Sequence, residues 1–124
     1  MEQKFYVCSH CGNVATKLTD KGVHLMCCGE VMKDLVPGSV DASKEKHVPV
    51  VKIDNTKVYV SVGSVEHPME KAHYIEWVWM QTKNGAEIKR LKPNEKPEVV
   101  FNKNDGEEVV RVYAYCNLHG LWKS

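Results

Sequence analysis

Residues 74–85 read YIEWVWMQTKNG, and residues 86–91 read AEIKRL. Ile75, Trp77 and Trp79 alternate with Glu76, Val78 and Met80, a period of two that sets Ile75, Trp77 and Trp79 on one face of a strand. Asn84-Gly85 then supplies a two-residue hairpin signal, and Ala86–Leu91 returns as the partner strand. The same pattern extends outward. Val58, Val60 and Val62 alternate with Tyr59, Ser61 and Gly63. Val48–Ile53 is mostly apolar and β-branched, broken by Pro49 and Lys52. Val99–Phe101 and Val109–Tyr115 are joined across Asp105-Gly106. The best candidate for a helix is a single turn within Asp41–Lys46. Short strands with Gly, Asn and Pro turns predict a mainly β chain, a sandwich or barrel from about residue 38 to residue 124.

The first 37 residues are of a different kind. Four of the five cysteines, Cys8, Cys11, Cys27 and Cys28, lie there, and little else is available to bury. Pro37-Gly38-Ser39 reads as a linker. Below about 40 residues a fold usually needs a metal or a disulfide. A metal-stapled domain over residues 1–37 is therefore expected, ahead of a β domain over 38–124.

Charge excludes some classes of function. Lys+Arg number 17 and Asp+Glu 16, a net charge of +1, without the basic excess of a nucleic-acid binder. No apolar run approaches the roughly 18 residues of a membrane span. The N-terminus, MEQKFYVC, has no apolar core of a secretory signal, so a cytoplasmic protein is expected. In a reducing compartment an odd number of cysteines points to metal rather than to disulfides.

Cys8-x-x-Cys11-Gly12 is a metal knuckle: two thiolates at this spacing grip one ion, and the glycine allows the turn a positive φ. Cys27-Cys28-Gly29 supplies a second pair that cannot copy the knuckle, because its members are adjacent, so a distorted tetrahedron is expected. Four thiolates suit zinc or iron equally on spacing alone. His10 and His24 read as solvated loop residues, since four cysteines already fill such a site.

A second constellation comprises His47, His67, His73, Cys116 and His119. His47 precedes one strand, His67 lies in the turn EHPM, His73 opens the strand at Tyr74, and Cys116 and His119 share the loop CNLHG. Nitrogen and sulfur donors suit iron, zinc or copper. Five donors overfill a structural zinc tetrahedron and leave one position free on an octahedral iron.

The segments YVCSHCGN (6–13), MCCGE (26–30), EKHVP (45–49), HPM (67–69), HYIEW (73–77) and CNLHGLW (116–122) together resemble the desulfoferrodoxin family, the two-iron class of superoxide reductases. The likeness spans essentially the whole chain. It implies a small desulforedoxin-like N-terminal domain with a four-sulfur iron centre, and an immunoglobulin-like β domain with a catalytic iron. It also implies a homodimer, a rubredoxin-type electron donor and superoxide as substrate, reduced to hydrogen peroxide. By motif, His47, His67, His73 and His119 become equatorial ligands and Cys116 the axial thiolate, its sulfur open to the N–H groups of Leu118 and His119. Lys46, beside His47, would steer the anion, and Glu45 would cap the site after turnover. A non-catalytic electron carrier is the alternative, but it gains nothing from an open site or an adjacent lysine. A zinc protein is the other alternative, and it would be colourless.

Overall fold

The computed structural model describes residues 2–124 and separates them into two compact units, Glu2–Val36 and Pro37–Ser124. Among the described residues no helix is long and apolar enough to cross a membrane.

The N-terminal unit is built from five very short strands. β1 (Phe5–Val7) lies between β2 (Val14–Thr16) and β5 (Lys33–Leu35), all antiparallel. β3 (Met26–Cys27) and β4 (Glu30–Val31) form a separate hairpin. Phe5, Cys8 and Met32 are its buried apolar residues, whereas Leu18, Val23 and Met26 are exposed. That is too little burial to hold 35 residues on hydrophobic energy alone, as the sequence implied.

The second unit is an immunoglobulin-like sandwich of two antiparallel sheets, three strands against four. One sheet has the order β10–β7–β6, from Glu98–Asn102, Lys57–Val62 and Pro49–Asp54. The other has the order β12–β11–β8–β9, from Gly120–Lys123, Val109–Cys116, Ile75–Thr82 and Ala86–Arg90. Val58, Val60, Val62, Val99 and Phe101 from the first sheet meet Ile75, Val78, Met80, Val112, Ala114 and Cys116 from the second in one core. The single helical turn α1 (Lys44–His47) precedes β6.

Two details differ from the sequence reading. Ile75, Trp77 and Trp79 do not share a face. The pairing of β8 with β11 jumps from Cys116↔Ile75 to Tyr115↔Trp77, leaving Glu76 as the extra residue of a β-bulge. The bulge reverses the alternation, so Ile75, Val78 and Met80 point into the core while Trp77 and Trp79 are half-buried on the other face. Trp77 there stacks on Tyr115, with ring centroids 5.4 Å apart. In the predicted hairpin, Thr82 N–H and Oγ1 both donate to Gly85 O, and neither Asn84 nor Gly85 adopts a positive φ. The reversal is real, but it is not the primed turn that Asn-Gly favours.

The topology gathers strand ends. Pro49 pairs with Val62, Ile75 with Cys116, and Cys116 with Gly120. The segment before β6, the loop from β7 to β8 and the loop from β11 to β12 therefore leave from matching ends of their sheets. Each of those loops carries one or two of the predicted ligands.

Candidate metal centres

The four N-terminal cysteines come together as predicted. Their sulfurs all lie within 4.8 Å of one another. Cys11 and Cys27 are 3.6 Å apart and Cys27 and Cys28 are 4.0 Å apart. Sulfurs about 2.3 Å from a central tetrahedral ion sit about 3.8 Å from each other, so the set is sized for one ion. A disulfide would need about 2.05 Å, and all five cysteines are free thiols.

Local backbone chemistry shapes this group. Gly12 has φ +81°, and its N–H donates to Cys8 O at 3.0 Å. Cys11 N–H points back at Cys8 Sγ at 3.4 Å. That bond is the main cause of a Cys8 pKa lowered to about 6. The adjacent pair is accommodated by the β3–β4 turn. Cys27 ends β3, while Cys28 (φ 52°) and Gly29 (φ 76°) are the two left-handed residues of a primed turn. Crowding by the sulfurs of Cys11, Cys8 and Cys27 pushes the Cys28 pKa up to about 12. A thiol so placed gives up its proton to a cation far more readily than to water. His10 and His24 are exposed, and His10 Nε2 meets Glu30 Oε1 at 3.0 Å; neither joins the four sulfurs.

Replacing Cys11 or Cys28 by serine should remove the visible absorption of this centre and loosen residues 2–36. It should leave the activity that the resemblance implies, peroxide production from superoxide, largely intact. Spectra, thermal melts and stopped-flow kinetics on the same preparations read all three, and lost turnover with the second site still loaded would show the four-sulfur centre to be required.

The second group is built at the end of the sandwich. His47 and His67 are buried at 3% and 1% exposure, Cys116 is fully buried, and His73 is half-buried. One donor atom from each of these four lies within 4.8 Å of the others. His119 joins them through Nδ1, 3.1 Å from His47 Nε2 and 3.9 Å from Cys116 Sγ.

The four imidazoles form a closed ring. Neighbouring centroids in the order His47, His67, His73, His119 are 4.6, 4.8 and 5.0 Å apart, and His119 returns to His47 at 5.0 Å. Each neighbouring pair is nearly perpendicular, at 77–86°. His47 and His73 face each other across the ring at 6.5 Å and 30°.

The protonation pattern makes this arrangement meaningful. His47 Nδ1 donates to Ser43 O and His67 Nδ1 to Pro68 O, each at 2.6 Å. Both Nε2 atoms are then bare lone pairs, yet they lie 3.2 Å apart. His73 Nε2 is buried with no hydrogen-bond partner. Lone pairs directed at one another are repulsive unless a cation sits between them. Donors at right angles about 2.1 Å from an ion lie about 3.0 Å apart, close to the 3.1 and 3.2 Å found. Burial lowers the pKa of His47 and His73 and takes that of His67 down to about 4, so the neutral, ligating form is the resting one. Burial pushes the Cys116 thiol up, while main-chain N–H groups of His119 and Leu118 donate to its sulfur and oppose that rise.

Glu45 and Lys46 are exposed on α1. The charge of Lys46 is felt by both His47 and His73, where it disfavours protonation. Ser43 Oγ donates to Glu45 Oε1 at 3.3 Å. The backbone beneath them is clamped: Val65 N–H and Ser64 Oγ both donate to Glu45 O, at 2.9 and 3.2 Å. A Cβ on Gly63 would lie 2.6 Å from that same oxygen, so only glycine lets α1 seat here.

Two residues of CNLHGLW that bear on the site had no role assigned from sequence. Trp122 packs against His47 with centroids 4.9 Å apart and the rings tilted by 30°, and its indole N–H donates to His119 O at 3.0 Å. Asn117 bonds to the backbone around His73. Both belong to the motif CNLHGLW, and their place beside Cys116 and His119 is what marks them in the sequence.

A β-sandwich with a ring of four imidazoles at one end, and a buried thiol among its donors, defines a mononuclear non-haem metalloprotein. The desulfoferrodoxin family model matches residues 39–124, and the chain belongs to that family. It is 44% identical over 119 residues to the desulfoferrodoxin of Syntrophotalea carbinolica, covering 96% of this chain and 93% of that one. The superoxide reductase of Treponema pallidum superposes with a TM-score of 0.83 at 38% identity, covering 100% and 99% of the two chains. The superoxide reductase (1Fe-SOR) of Giardia intestinalis matches 65% of this chain and 96% of its own, with a TM-score of 0.56 and 34% identity.

Proposed function

We propose that the chain reduces superoxide to hydrogen peroxide at the four-histidine, one-cysteine site. The observation that carries this reading is the closed ring of imidazoles in which the Nε2 lone pairs of His47 and His67, their protons held at Nδ1, face each other at 3.2 Å beside a partnerless His73 Nε2. Iron fits the donor set, and when held by His47, His67, His73, His119 and Cys116 it would supply the single electron that takes superoxide to the peroxide level.

The chain's own residues do the rest. Ser43 O and Pro68 O hold the Nδ1 protons of His47 and His67, and so fix which nitrogen each ring presents. Cys116 contributes an electron-rich thiolate, moderated by the N–H groups of His119 and Leu118. Lys46 draws in the anion and offsets the negative charge of the product. Glu45 closes the site after turnover, giving up its weak bond from Ser43 Oγ. Two protons from water complete the peroxide.

The four-sulfur centre of residues 1–37 takes a second iron and is dispensable for this chemistry. The match of the shorter Giardia intestinalis protein to 65% of the chain supports that division. A rubredoxin-type donor, a homodimer and a cytoplasmic address complete the reading, with five free thiols in keeping with a reducing compartment.

Stoichiometry tests the activity. Prereduced protein given superoxide should yield one hydrogen peroxide per superoxide consumed and no dioxygen. Dioxygen appearing at half the superoxide consumed would mean dismutation, and no acceleration of superoxide loss would mean an electron carrier.

A further inference from the structure

Asn117 is the residue that bridges the two loops carrying His73 and the Cys116–His119 pair. Its Oδ1 accepts from Tyr74 N–H at 2.9 Å, and its Nδ2 donates to Ala72 O at 3.0 Å. Its own N–H donates to Tyr74 O at 3.2 Å. Ala72 and Tyr74 are the two neighbours of His73. One side chain therefore grips the backbone on both sides of that ligand from 45 and 43 residues away.

The grip matters because His73 is held differently from its partners. The rings of His47 and His67 are each tied through Nδ1 to a carbonyl. His73 has instead a backbone exchange with Glu70, N–H to O in both directions at 3.0 and 2.9 Å, and the Asn117 clip. Past the β-bulge at Glu76 the ladder between β8 and β11 ends at the pair Cys116↔Ile75, so it does not extend to His73. Asparagine meets the chemistry of the place: it offers a donor and an acceptor from one planar group, and the two backbone partners here are one carbonyl and one N–H.

We propose that Asn117 is a positioning residue that fixes His73 Nε2 relative to Cys116 Sγ and thereby sets how tightly, and in what symmetry, the site holds its metal. This rests on the reading that His73, Cys116 and His119 share one ion. Loss of an orienting partner of a metal ligand typically costs about 10–100-fold in affinity or activity. Asn117→Ala removes both side-chain bonds. Asn117→Asp keeps the acceptor for Tyr74 N–H but sets a carboxylate oxygen against Ala72 O.

The test uses the full chain loaded with iron at both sites. Chelator-driven release of iron from the second site should be at least about tenfold faster in Asn117→Ala than in the parent, with Asn117→Asp in the same direction. The ferric charge-transfer band and the rhombicity of the ferric spin-resonance signal should change in both variants, while the four-sulfur centre keeps its spectrum. Parent-like release and parent-like ferric spectra in the variants would overturn the proposal, even if their melting temperatures fell, because a merely structural bond moves only stability. Should Asn117→Ala not fold, Asn117→Asp decides by the same readings. A parent chain that binds iron only at the four sulfurs would overturn this inference together with the reading it rests on.

Discussion

Cys116→Ser should abolish superoxide reduction while leaving the fold intact. Cys116 is fully buried within the core and ends β11, where it pairs with both Ile75 and Gly120. Serine is close to isosteric, so packing changes little. The chemistry changes greatly. A thiolate is a soft, strongly electron-donating ligand, whereas a serine hydroxyl remains protonated and is a poor donor to a soft site. The N–H groups of His119 and Leu118 would then face an oxygen that carries no charge to share. Loss of even an orienting partner costs about 10–100-fold, so loss of a direct donor should exceed about a hundredfold in turnover. Stopped-flow assays on protein whose second site is shown by metal analysis to be loaded will read this. Near-parent turnover in such a preparation would remove Cys116 from the ligand set.

Lys46 and Glu45 should separate kinetically, because the proposed function assigns them to different steps. Lys46 is exposed, yet its charge reaches His47 and His73. Lys46→Ile removes an attraction beside the point where an anion enters. Association of superoxide should slow by roughly tenfold, and its dependence on salt should weaken. Glu45→Ala removes a negative charge from the same turn. It should bind superoxide at least as fast as the parent, and its defect should appear afterward, as a ferric site open to water or added anions with an altered spectrum. Pulse radiolysis at two ionic strengths separates the steps. If Glu45→Ala slowed association as much as Lys46→Ile, the carboxylate would belong to substrate capture.

Both residues stand on one helical turn whose placement depends on what lies beneath. Gly63 leaves room for Glu45 O, and Ser64 and Val65 hold that oxygen. The two charges are thus exposed at their tips and fixed at their backbone, which suits the roles toward a small anion proposed for them.

The sequence by itself determined whatever is local. Cys8-x-x-Cys11-Gly12 closes its own turn, with the N–H of Cys11 on the sulfur of Cys8 and the positive φ on Gly12. The alternation of Val58, Val60 and Val62 placed those side chains in the core because a strand has only two faces. The ligand set was legible because imidazoles and a cysteine stood at strand ends, and because their motifs matched a family. Only the tertiary structure decided what depends on distant partners. His47 meets His67 across 20 residues and His119 across 72, and no local rule states that those loops share one end of the sandwich. The bulge at Glu76 reversed the face of Trp77 and Trp79, since a register defect belongs to a pair of strands rather than to either one. The ring nitrogens were chosen by the carbonyls of Ser43 and Pro68, and His73 was seated by Asn117 through main-chain groups of Ala72 and Tyr74. Every residue carries a carbonyl, so the identity of a residue cannot announce which one a ligand will find; folding decides it by bringing one within reach.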